Sequence, residues 1–240
     1  MFKKYNFKEV DSTNDIAKKL VEKNKNVMIS AEFQTKGKGR NGKTWIGNKS
    51  QNIYVSFGIK TEVGESGDEI TKYQMLGSLA VLKALKEIAP EVKFTLKYPN
   101  DIIAENTVLK GKISGVLCEH EFIGMVCFKT VIGIGINVDQ EIFDVLAENT
   151  PVSLKLLKVE ITKEILLKKL EENIEYYLKQ SREGIIENWK NELDIIGKKV
   201  ILKGSEGEWE IRQILSEGRL QAFKNEETRL VDNGDSIRYL

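Results

Sequence analysis

The sequence predicts an α+β fold, in which a mixed β-sheet packs with helices and a small β-barrel follows. Up to about residue 195, segments with strand-like alternation are interspersed with segments of helical spacing. After Gly197 the chain changes to short strand-like stretches separated by turn residues. The chain has 240 residues, which allows one or two domains. We place the domain boundary between residues 1–195 and 196–240.

Four helices are expected in the first of these domains. Residues 11–14, DSTN, are strong N-cap types, and apolar residues at helical spacing follow them. A second helix should span about residues 71–89, with one apolar face, and end at Pro90. Helical spacing returns over residues 163–180 and again over about 184–193.

Strands are expected between the helices. Residues 27–34, VMISAEFQ, are apolar and β-prone, and residues 53–58 alternate with the period of a strand. Residues 92–138 also have a strand pattern, interrupted by KYPND at 97–101 and GIGIN at 133–137. The last segment should form four or five short strands, separated by SEG, SEGR, NEE and DNG turns.

Composition and charge argue against several classes of function. Lys plus Arg (37) nearly balance Asp plus Glu (36), so bulk charge gives no case for binding nucleic acid or an anionic membrane. There is no apolar run of about 18 residues and no signal peptide, so we expect a cytoplasmic location. Cys118 and Cys127 match no metal-ligand spacing and are expected to be buried free thiols. A His-rich metal site is excluded, because His120 is the only histidine.

Residues 37–44, GKGRNGKT, have the spacing of a phosphate-binding P-loop. A P-loop also needs a strand before it and a helix directly after it, because the helix N-terminus supplies N–H groups to the phosphates. A strand does precede the glycines, but a polar, turn-rich stretch and then another strand follow them. We therefore interpret the segment as a basic glycine loop between two strands.

The wider loop at residues 34–45 offers groups for anion binding. It carries one polar residue, four cations and a terminal aromatic residue: Gln34, Lys36, Lys38, Arg40, Lys43 and Trp45. Four cations on a flexible, glycine-containing backbone can close over a polyanion. The alternative is a solvated basic hairpin without a ligand.

Other polar groups lie in apolar surroundings. In KYPND, Asn100 can donate and accept hydrogen bonds, and Asp101 can only accept them. Lys112 enters an apolar strand, either as an edge residue that extends its amine into solvent or as a fixed charge suited to an anionic transition state. GIGIN places two glycines within an apolar strand, which indicates close approach of a backbone or a ligand.

Five segments, in this order, resemble those of the biotin protein ligases. They are STN at 12–14, AEFQTKGKGRNGKTW at 31–45, KYPND at 97–101, KISGVL at 112–117 and GIGINV at 133–138. The resemblance covers essentially the whole chain, and the C-terminal part resembles the SH3-like domain of that family. It implies a biotin/lipoate ligase-like fold in the short, ligase-only form. Only eleven residues precede Ser12, which leaves no room for a helix-turn-helix, so we expect no binding to specific DNA.

The resemblance implies a two-step reaction. The carboxylate of biotin attacks the α-phosphate of MgATP to give biotinyl-5'-adenylate and pyrophosphate. A lysine of the biotin carboxyl carrier domain of a biotin-dependent carboxylase then takes the biotinyl group. The expected ligands are therefore biotin, ATP and Mg²⁺, and no membrane partner is expected. The metal ligands and the formation of a homodimer are left open.

Roles in the family carry over to the matching positions. In catalysis, Lys112 would lie beside the carboxylate and the α-phosphate, Arg40 would close on the phosphate, and Asp101 would position Lys112 or the incoming lysine. The biotin site would comprise Ser12, Thr13, Asn14, Gln34, Gly37, Lys38, Arg40, Lys112 and Gly115. The adenylate site would comprise Lys38, Arg40, Trp45, Asn100, Lys112, Gly133, Gly135 and Asn137. Within it, Trp45 would stack on adenine, and Asn100 and Asn137 would read the edge of the base.

The basic loop departs from the family pattern at two positions. Lys38 stands where the first arginine of a GRGR run is usual, and Asn41 stands where a further arginine is common. Lysine cannot make a planar bidentate contact, so we expect a weaker hold on the adenylate.

Two alternative functions remain. A lipoate or octanoate ligase or transferase would have a related fold, but it would need a long apolar tunnel instead of polar ligands for a ureido ring. A non-catalytic biotin or nucleotide sensor belongs to a different class, and the presence of Lys112 and Arg40 argues against it.

Overall fold

The computed structural model describes residues 1–143, 150–231 and 234–240. A seven-stranded sheet occupies the first part of the chain, with strand order β1-β2-β3-β7-β6-β5-β4. Its strands are β1 (Lys3–Phe7), β2 (Asn26–Ala31), β3 (Asn52–Glu65), β4 (Lys93–Lys97), β5 (Asp101–Glu105), β6 (Lys110–Ile123) and β7 (Val126–Asn137). Only the β1–β2 pair is parallel, which confirms the predicted mixed sheet. GIGIN, which we expected to interrupt the strand pattern, lies inside β7.

The four predicted helices are present, as α1 (Thr13–Val21), α2 (Gly67–Ile88), α3 (Lys163–Leu178) and α4 (Arg182–Leu193). Helix α2 begins four residues earlier than predicted, at Gly67 instead of 71, because the Ser66 side chain accepts a hydrogen bond from Glu69 N and caps the helix there. Ala89 follows as the C-cap, so the helix ends before Pro90 as expected.

Helices cover both faces of the central strands. Helix α1 packs Ala17 and Val21 on one face, against Val27, Ile29 and Val131. Helix α2 packs its apolar residues on the opposite face, in the larger core. Residues 53–58 of β3 are consequently buried on both faces. The period of two identified this part of β3 correctly, although residues 53–58 reach solvent on neither face.

Helix α1 presents polar residues to the sheet at one end. Its buried residues are Thr13, Asn14, Ala17 and Val21, which follow the spacing of a single helix face. The apolar pair fills the core, and Thr13 and Asn14 lie on the same face at the N-terminal end. Two polar side chains are therefore held beside the central strands by the packing of the apolar ones.

The end of the chain forms a second, antiparallel sheet of five strands, in the order β11-β10-β9-β8-β12. The strands are β8 (Lys199–Leu202), β9 (Glu208–Ile214), β10 (Leu220–Lys224), β11 (Glu227–Val231) and β12 (Ile237–Tyr239). This matches the prediction of four or five strands. Two residues of the predicted DNG turn, 232 and 233, lie outside the described residues. The sheet uses residues from Lys199 onward, and the boundary at 195/196 stays a prediction.

The KYPND turn, which joins β4 to β5, contacts the second sheet. The Tyr98 hydroxyl donates a hydrogen bond to the Val231 carbonyl at 3.2 Å, and the Tyr98 and Trp189 ring centroids are 6.0 Å apart. Asn100 and Asp101, which follow Tyr98, therefore lie where the second sheet meets the first.

Two expectations from composition can be compared with the fold. Both cysteines are free, as predicted, but only Cys127 is fully buried and Cys118 is partly exposed. No helix among the described residues has the length and apolar character needed to cross a membrane.

Candidate active site

A cavity of about 1350 Å³ lies above β6 and β7 and brings the predicted site residues together. The predicted residues that line it are Ser12, Thr13, Asn14, Gln34, Lys38, Arg40, Trp45, Asn100, Asp101, Lys112, Gly115, Gly133, Gly135 and Asn137. Gly37 is the predicted residue that does not reach the cavity wall. Segments more than a hundred residues apart in the chain therefore meet at one place.

Hydrogen bonds orient Gln34 at the α1 end of the cavity. The backbone N–H of Thr13 donates to Gln34 Oε1 at 2.7 Å, and the Thr13 hydroxyl oxygen lies 2.9 Å from the same atom. The Gln34 oxygen is therefore occupied within the protein, and its Nε2 is the group left to donate to a ligand.

Asn14 is held by two residues that the sequence analysis did not identify. Its Nδ2 donates to Glu119 Oε2 at 2.7 Å, and its Oδ1 lies 2.6 Å from Ser56 Oγ. Lys18 Nζ lies 2.6 Å from the second Glu119 oxygen. Ser56 lies among apolar strand residues and Glu119 lies in the mixed stretch CEHEF, and nothing in the sequence indicated that they approach Asn14.

Lys112 and Asp101 form an ion pair on the cavity wall, with Nζ and Oδ1 2.7 Å apart. The register between β5 and β6 explains the contact. Ile102 pairs with Ser114 and Ile103 pairs with Lys112, so Ile113 is an extra residue. This bulge places Lys112 on the Asp101 side of the sheet, whereas a regular register would turn it to the opposite face. The Lys112 side chain is only 26% exposed, unlike a lysine that extends along a strand edge into solvent.

The basic loop is folded as a short hairpin across the cavity. Residues 38 and 44 form an antiparallel bridge, and Gly39 N donates to Lys43 O. On one side, Lys38 Nζ contacts Asp15 Oδ1 of α1 at 2.5 Å. On the other side, Arg40 Nη1 donates to Asn100 Oδ1 at 3.1 Å. The segment that we described as flexible is thus attached to both walls of the cavity.

The backbone at position 41 accounts for one departure from the family pattern. Asn41 has a φ of 53°, in the left-handed region. Asparagine adopts this conformation more readily than arginine, because its short side chain can bond locally. In this hairpin, the asparagine therefore suits the turn.

The Trp45 ring lies against the glycines of β6 and β7. A Cβ at Gly115 would lie 2.9 Å from Trp45 Cζ3, and a Cβ at Gly135 would clash with the same ring. A Cβ at Gly37 would clash with the Trp45 carbonyl, and one at Gly133 would clash with Asn14 Oδ1. We expected Gly37 and Gly115 to let a ligand approach the backbone. In this structure they make room for Trp45, and Gly133 makes room for Asn14.

The amides of Asn100 and Asn137 are bound to the backbone. Asn100 Nδ2 donates to Val116 O at 2.7 Å, and Asn137 Nδ2 donates to Val152 O at 3.0 Å. Both side chains are less than one-tenth exposed. Each amide is therefore fixed in one orientation, so the predicted reading of a base edge depends on the carbonyl oxygens.

The cavity is locally cationic in a chain whose net charge is +1. Its described lining contains six cations, Lys38, Arg40, Lys43, Lys97, Lys112 and Arg238, and one acidic residue, Asp101. Such a surface suits a polyanionic ligand. The second sheet adds Arg238 and Tyr239, neither of which the motifs indicated. Burial raises the pKa of Tyr239, so its phenol is neutral at the cavity wall.

Metal binding by the protein alone is not supported within the described ranges. No group of three or more His, Cys, Asp or Glu residues there could hold a metal ion. A divalent cation would therefore enter mainly on the phosphates of a nucleotide, as Mg²⁺ commonly does.

Sequence comparison finds similarity to one ligase family and to individual biotin ligases. Residues 7–137 match the model of the biotin/lipoate A/B protein ligase family. The chain is 31% identical over 118 residues to the biotin--[acetyl-CoA-carboxylase] ligase of Mycobacterium tuberculosis, covering 48% of this chain and 40% of that protein. It is 32% identical over 117 residues to the biotin--protein ligase of Homo sapiens, covering 47% of this chain and 15% of that protein. The match therefore spans less than half the length of either relative.

Solved structures are similar over the full length. The biotin protein ligase from Aquifex aeolicus in complex with biotin and ATP is 28% identical, with a TM-score of 0.73 and 100% coverage of both chains. The Leishmania major biotin protein ligase in complex with biotinyl-5-AMP is 22% identical, with a TM-score of 0.64, covering 96% of this chain and 98% of that one, and shows the fold alone. The predicted fold class, including the separate C-terminal sheet, is confirmed.

Proposed function

The chain belongs to the biotin/lipoate A/B protein ligase family, and from this premise we propose that it is an ATP-dependent biotin protein ligase. It forms biotinyl-5'-adenylate from biotin and MgATP, and then transfers biotin to a specific lysine of a biotin carboxyl carrier domain. The main support is that polar groups for a ureido ring, the Lys112–Asp101 pair and the basic hairpin line the same cavity.

In the first step, two anions must meet. A biotin carboxylate oxygen bonds to the α-phosphorus of ATP, and the bond from that phosphorus to the pyrophosphate oxygen breaks. Lys112 Nζ has three hydrogens, of which Asp101 engages one, so two remain for the carboxylate and the α-phosphate. A fixed cation between them lowers the barrier, because it offsets their repulsion in the transition state.

Arg40 supplies a second cation to the cavity, beside Asn100. Its guanidinium is anchored to Asn100 through one nitrogen, which leaves other N–H donors for phosphate oxygens. Mg²⁺, as part of the MgATP substrate, would offset negative charge on the phosphates. The remaining cations of the lining suit the same phosphates.

In the second step, a neutral amine of the acceptor lysine attacks the acyl carbon of the adenylate. The bond from this carbon to the phosphate oxygen breaks, AMP leaves, and the nitrogen releases a proton to solvent. Asp101 is the acidic side chain of the described lining, and we assign it to orient the amine as well as Lys112. The acceptor enters from the open side of the cavity as a folded carrier domain of a biotin-dependent carboxylase.

The proposal is tested by incubating the purified chain with biotin, MgATP and a purified biotin carboxyl carrier domain. We expect biotin-dependent exchange of labelled pyrophosphate into ATP and a mass increase of one biotinyl group on the acceptor. An acceptor with Arg in place of its target Lys should stay unmodified. The same assay with lipoate in place of biotin distinguishes a biotin ligase from a lipoate ligase. Absence of exchange and of acceptor labelling with biotin would refute the proposal.

A further inference from the structure

Four buried or half-buried side chains connect Glu119 to the cavity. Asn14 Nδ2 lies 2.7 Å from Glu119 Oε2, and Asn14 Oδ1 lies 2.6 Å from Ser56 Oγ. Ser56 Oγ lies 2.7 Å from Thr13 Oγ1, which lies 2.9 Å from Gln34 Oε1. Thr13, Asn14 and Ser56 are each less than 5% exposed, so water does not compete for these hydrogen bonds.

The carboxylate fixes the direction of the whole chain of hydrogen bonds. Ionised Glu119 can only accept, so the Asn14 nitrogen must face it and the Asn14 oxygen must face Ser56. Ser56 has one hydroxyl proton, which it donates to Asn14. It therefore has none for Thr13, and the proton of Thr13 must point to Ser56 or to Gln34, inside the protein in either case.

With its proton directed inward, Thr13 presents only lone pairs to the cavity, where it can accept a hydrogen bond from a ligand N–H. Gln34 Oε1 is occupied by Thr13 N, so Gln34 presents its Nε2 donor beside this acceptor. An acceptor next to a donor is complementary to the adjacent N–H and C=O groups of a cyclic urea. The inference that follows rests on the proposed function, because this ring is the ureido ring of biotin.

We propose that Glu119 is a positioning residue that determines the hydrogen-bond polarity of the ureido site. It acts through Asn14 and Ser56, and makes the Thr13 hydroxyl an acceptor that selects for a ligand N–H. Glu119 does not touch the ligand in this arrangement. Its other oxygen is paired with Lys18, which balances the charge of the carboxylate at the edge of the site.

The simpler explanation of the position of Glu119 is that this residue only forms an ion pair with Lys18. Such pairs contribute little to stability. The two Glu119 oxygens, however, have different partners, Lys18 on one and the buried Asn14 amide on the other. Removing Lys18 leaves the second contact intact, so the two roles can be separated by mutation.

The central test is Glu119→Gln, which keeps the size of the side chain but can donate as well as accept. The Asn14 amide is then free to reverse, and Ser56 can donate to Thr13. We expect biotin affinity, measured by calorimetry without ATP, to fall about tenfold or more. The matched control, Lys18→Met, removes the ion pair only and should bind biotin within about twofold of wild type.

A change of specificity distinguishes this role from a general structural one. The probes are the two cyclic carbamate analogues of biotin, each with one ureido N–H replaced by oxygen. Wild type should discriminate against at least one of them by about tenfold or more, because an oxygen would face the Thr13 acceptor. In Glu119→Gln this discrimination should shrink, because Thr13 can then donate.

A double variant tests the direction of the hydrogen bonds themselves. In Asn14→Asp with Glu119→Gln, the new carboxylate can accept from both Gln at 119 and Ser56, which restores the original direction. We expect this double variant to recover most of the biotin affinity. It remains a valid test even if the single variant Glu119→Gln does not fold. The inference is overturned if Glu119→Gln binds biotin like wild type, if it loses affinity for biotin and both analogues equally, or if the double variant shows no recovery. Failure of wild type to bind biotin would instead refute the proposed function.

Discussion

Lys38 is ion-paired with Asp15, with 2.5 Å between the lysine Nζ and the aspartate Oδ1. Lys38 lies on the basic hairpin, and Asp15 lies in the first turn of α1, directly after Thr13 and Asn14. The pair therefore connects the hairpin to the helix that carries part of the ureido site. Both side chains are about 40% exposed, so we expect a modest contribution to holding the hairpin in place.

Breaking this pair should loosen the hairpin before any ligand is present. An exposed ion pair contributes about 0.2–1 kcal/mol, so Asp15→Asn should raise the rate of tryptic cleavage between residues 36 and 44 by up to about fivefold. Limited proteolysis of the ligand-free protein measures this rate. Glu171→Gln, which breaks the distant Lys4–Glu171 pair, is the matched control and should leave cleavage of the hairpin unchanged. Equal rates in both variants would show that the pair does not hold the hairpin.

Arginine at position 38 should hold the adenylate longer. Its planar fork can contact two phosphate oxygens, whereas lysine is a mobile point charge. Lys38→Arg should slow dissociation of biotinyl-adenylate by about tenfold, equivalent to about 1.4 kcal/mol, with little change in the association rate. Stopped-flow dissociation measures the effect. Lys36→Arg, in the same segment but paired with Asp11, is the control. An unchanged off-rate for Lys38→Arg would mean that residue 38 does not contact the ligand.

Removal of the Lys112 charge should impair adenylation. Lys112→Ala should lower the rate of adenylate formation by about 10²-fold or more, the size typical of losing one preorganised electrostatic group. Pyrophosphate exchange gives the rate, and thermal unfolding checks that the fold survives. Lys110→Ala removes a lysine from the same strand that is 66% exposed and is not part of the described cavity lining, so its rate should match wild type. A Lys112→Ala rate within a few-fold of wild type would contradict the catalytic role.

A methyl group on the cavity floor should weaken ligand binding. At Gly135, a Cβ would clash with the Trp45 ring, so Gly135→Ala must displace Trp45 toward the cavity or strain β7. We expect the affinity for biotinyl-adenylate, measured by calorimetry, to fall at least tenfold. Gly67→Ala adds the same methyl group at the start of α2, where no atom lies within 4 Å, and should bind normally. Normal binding by both variants would show that the position of the Trp45 ring is unimportant.

The single histidine should contribute to the pH dependence of stability. Burial lowers the pKa of His120 below its ordinary value of 6.5, although Glu65 and Glu119 oppose the shift. Between the two pKa values of His120, the unfolded state therefore binds more protons than the folded state. The contribution of His120 to the free energy of unfolding is present above pH 6.5 and is lost as pH falls toward the folded-state pKa. Chemical unfolding at pH 5.5 and 7.5 should show a smaller loss of stability at the lower pH in His120→Gln than in wild type. An identical loss in both proteins would contradict this assignment.

Periodicity and capping residues were sufficient to predict most of the secondary structure. The apolar spacing identified all four helices, and alternation identified β3 even though both of its faces are buried. The helices and strands depend on residues that are close in the chain, where local conformation and sequence are directly linked. The site residues were instead implied by the resemblance of five motifs to one family, and all of them except Gly37 line one cavity.

Contacts between distant strands could not be predicted in this way. Glu119 reaches Asn14 across 105 positions, and the extra residue at Ile113 decides which face Lys112 occupies. The first depends on how α1 packs on the sheet and the second on strand register, and no local pattern specifies either. The glycines were interpreted as ligand contacts because sequence shows that space is needed, but not whether a ligand or Trp45 occupies it.

The hydrogen bond from Tyr98 to Val231 has a consequence for any attempt to shorten the protein. The predicted domain boundary suggests that residues 1–195 would be a self-sufficient unit, because the seven-stranded sheet and its helices are complete within them. Tyr98 is only 5% exposed, however, and Trp189 beside it is 2% exposed. A truncated chain would open both aromatic rings to water and release the turn that carries Asn100 and Asp101. The smallest piece that retains the cavity therefore includes the C-terminal sheet, which also supplies part of its wall through Arg238 and Tyr239.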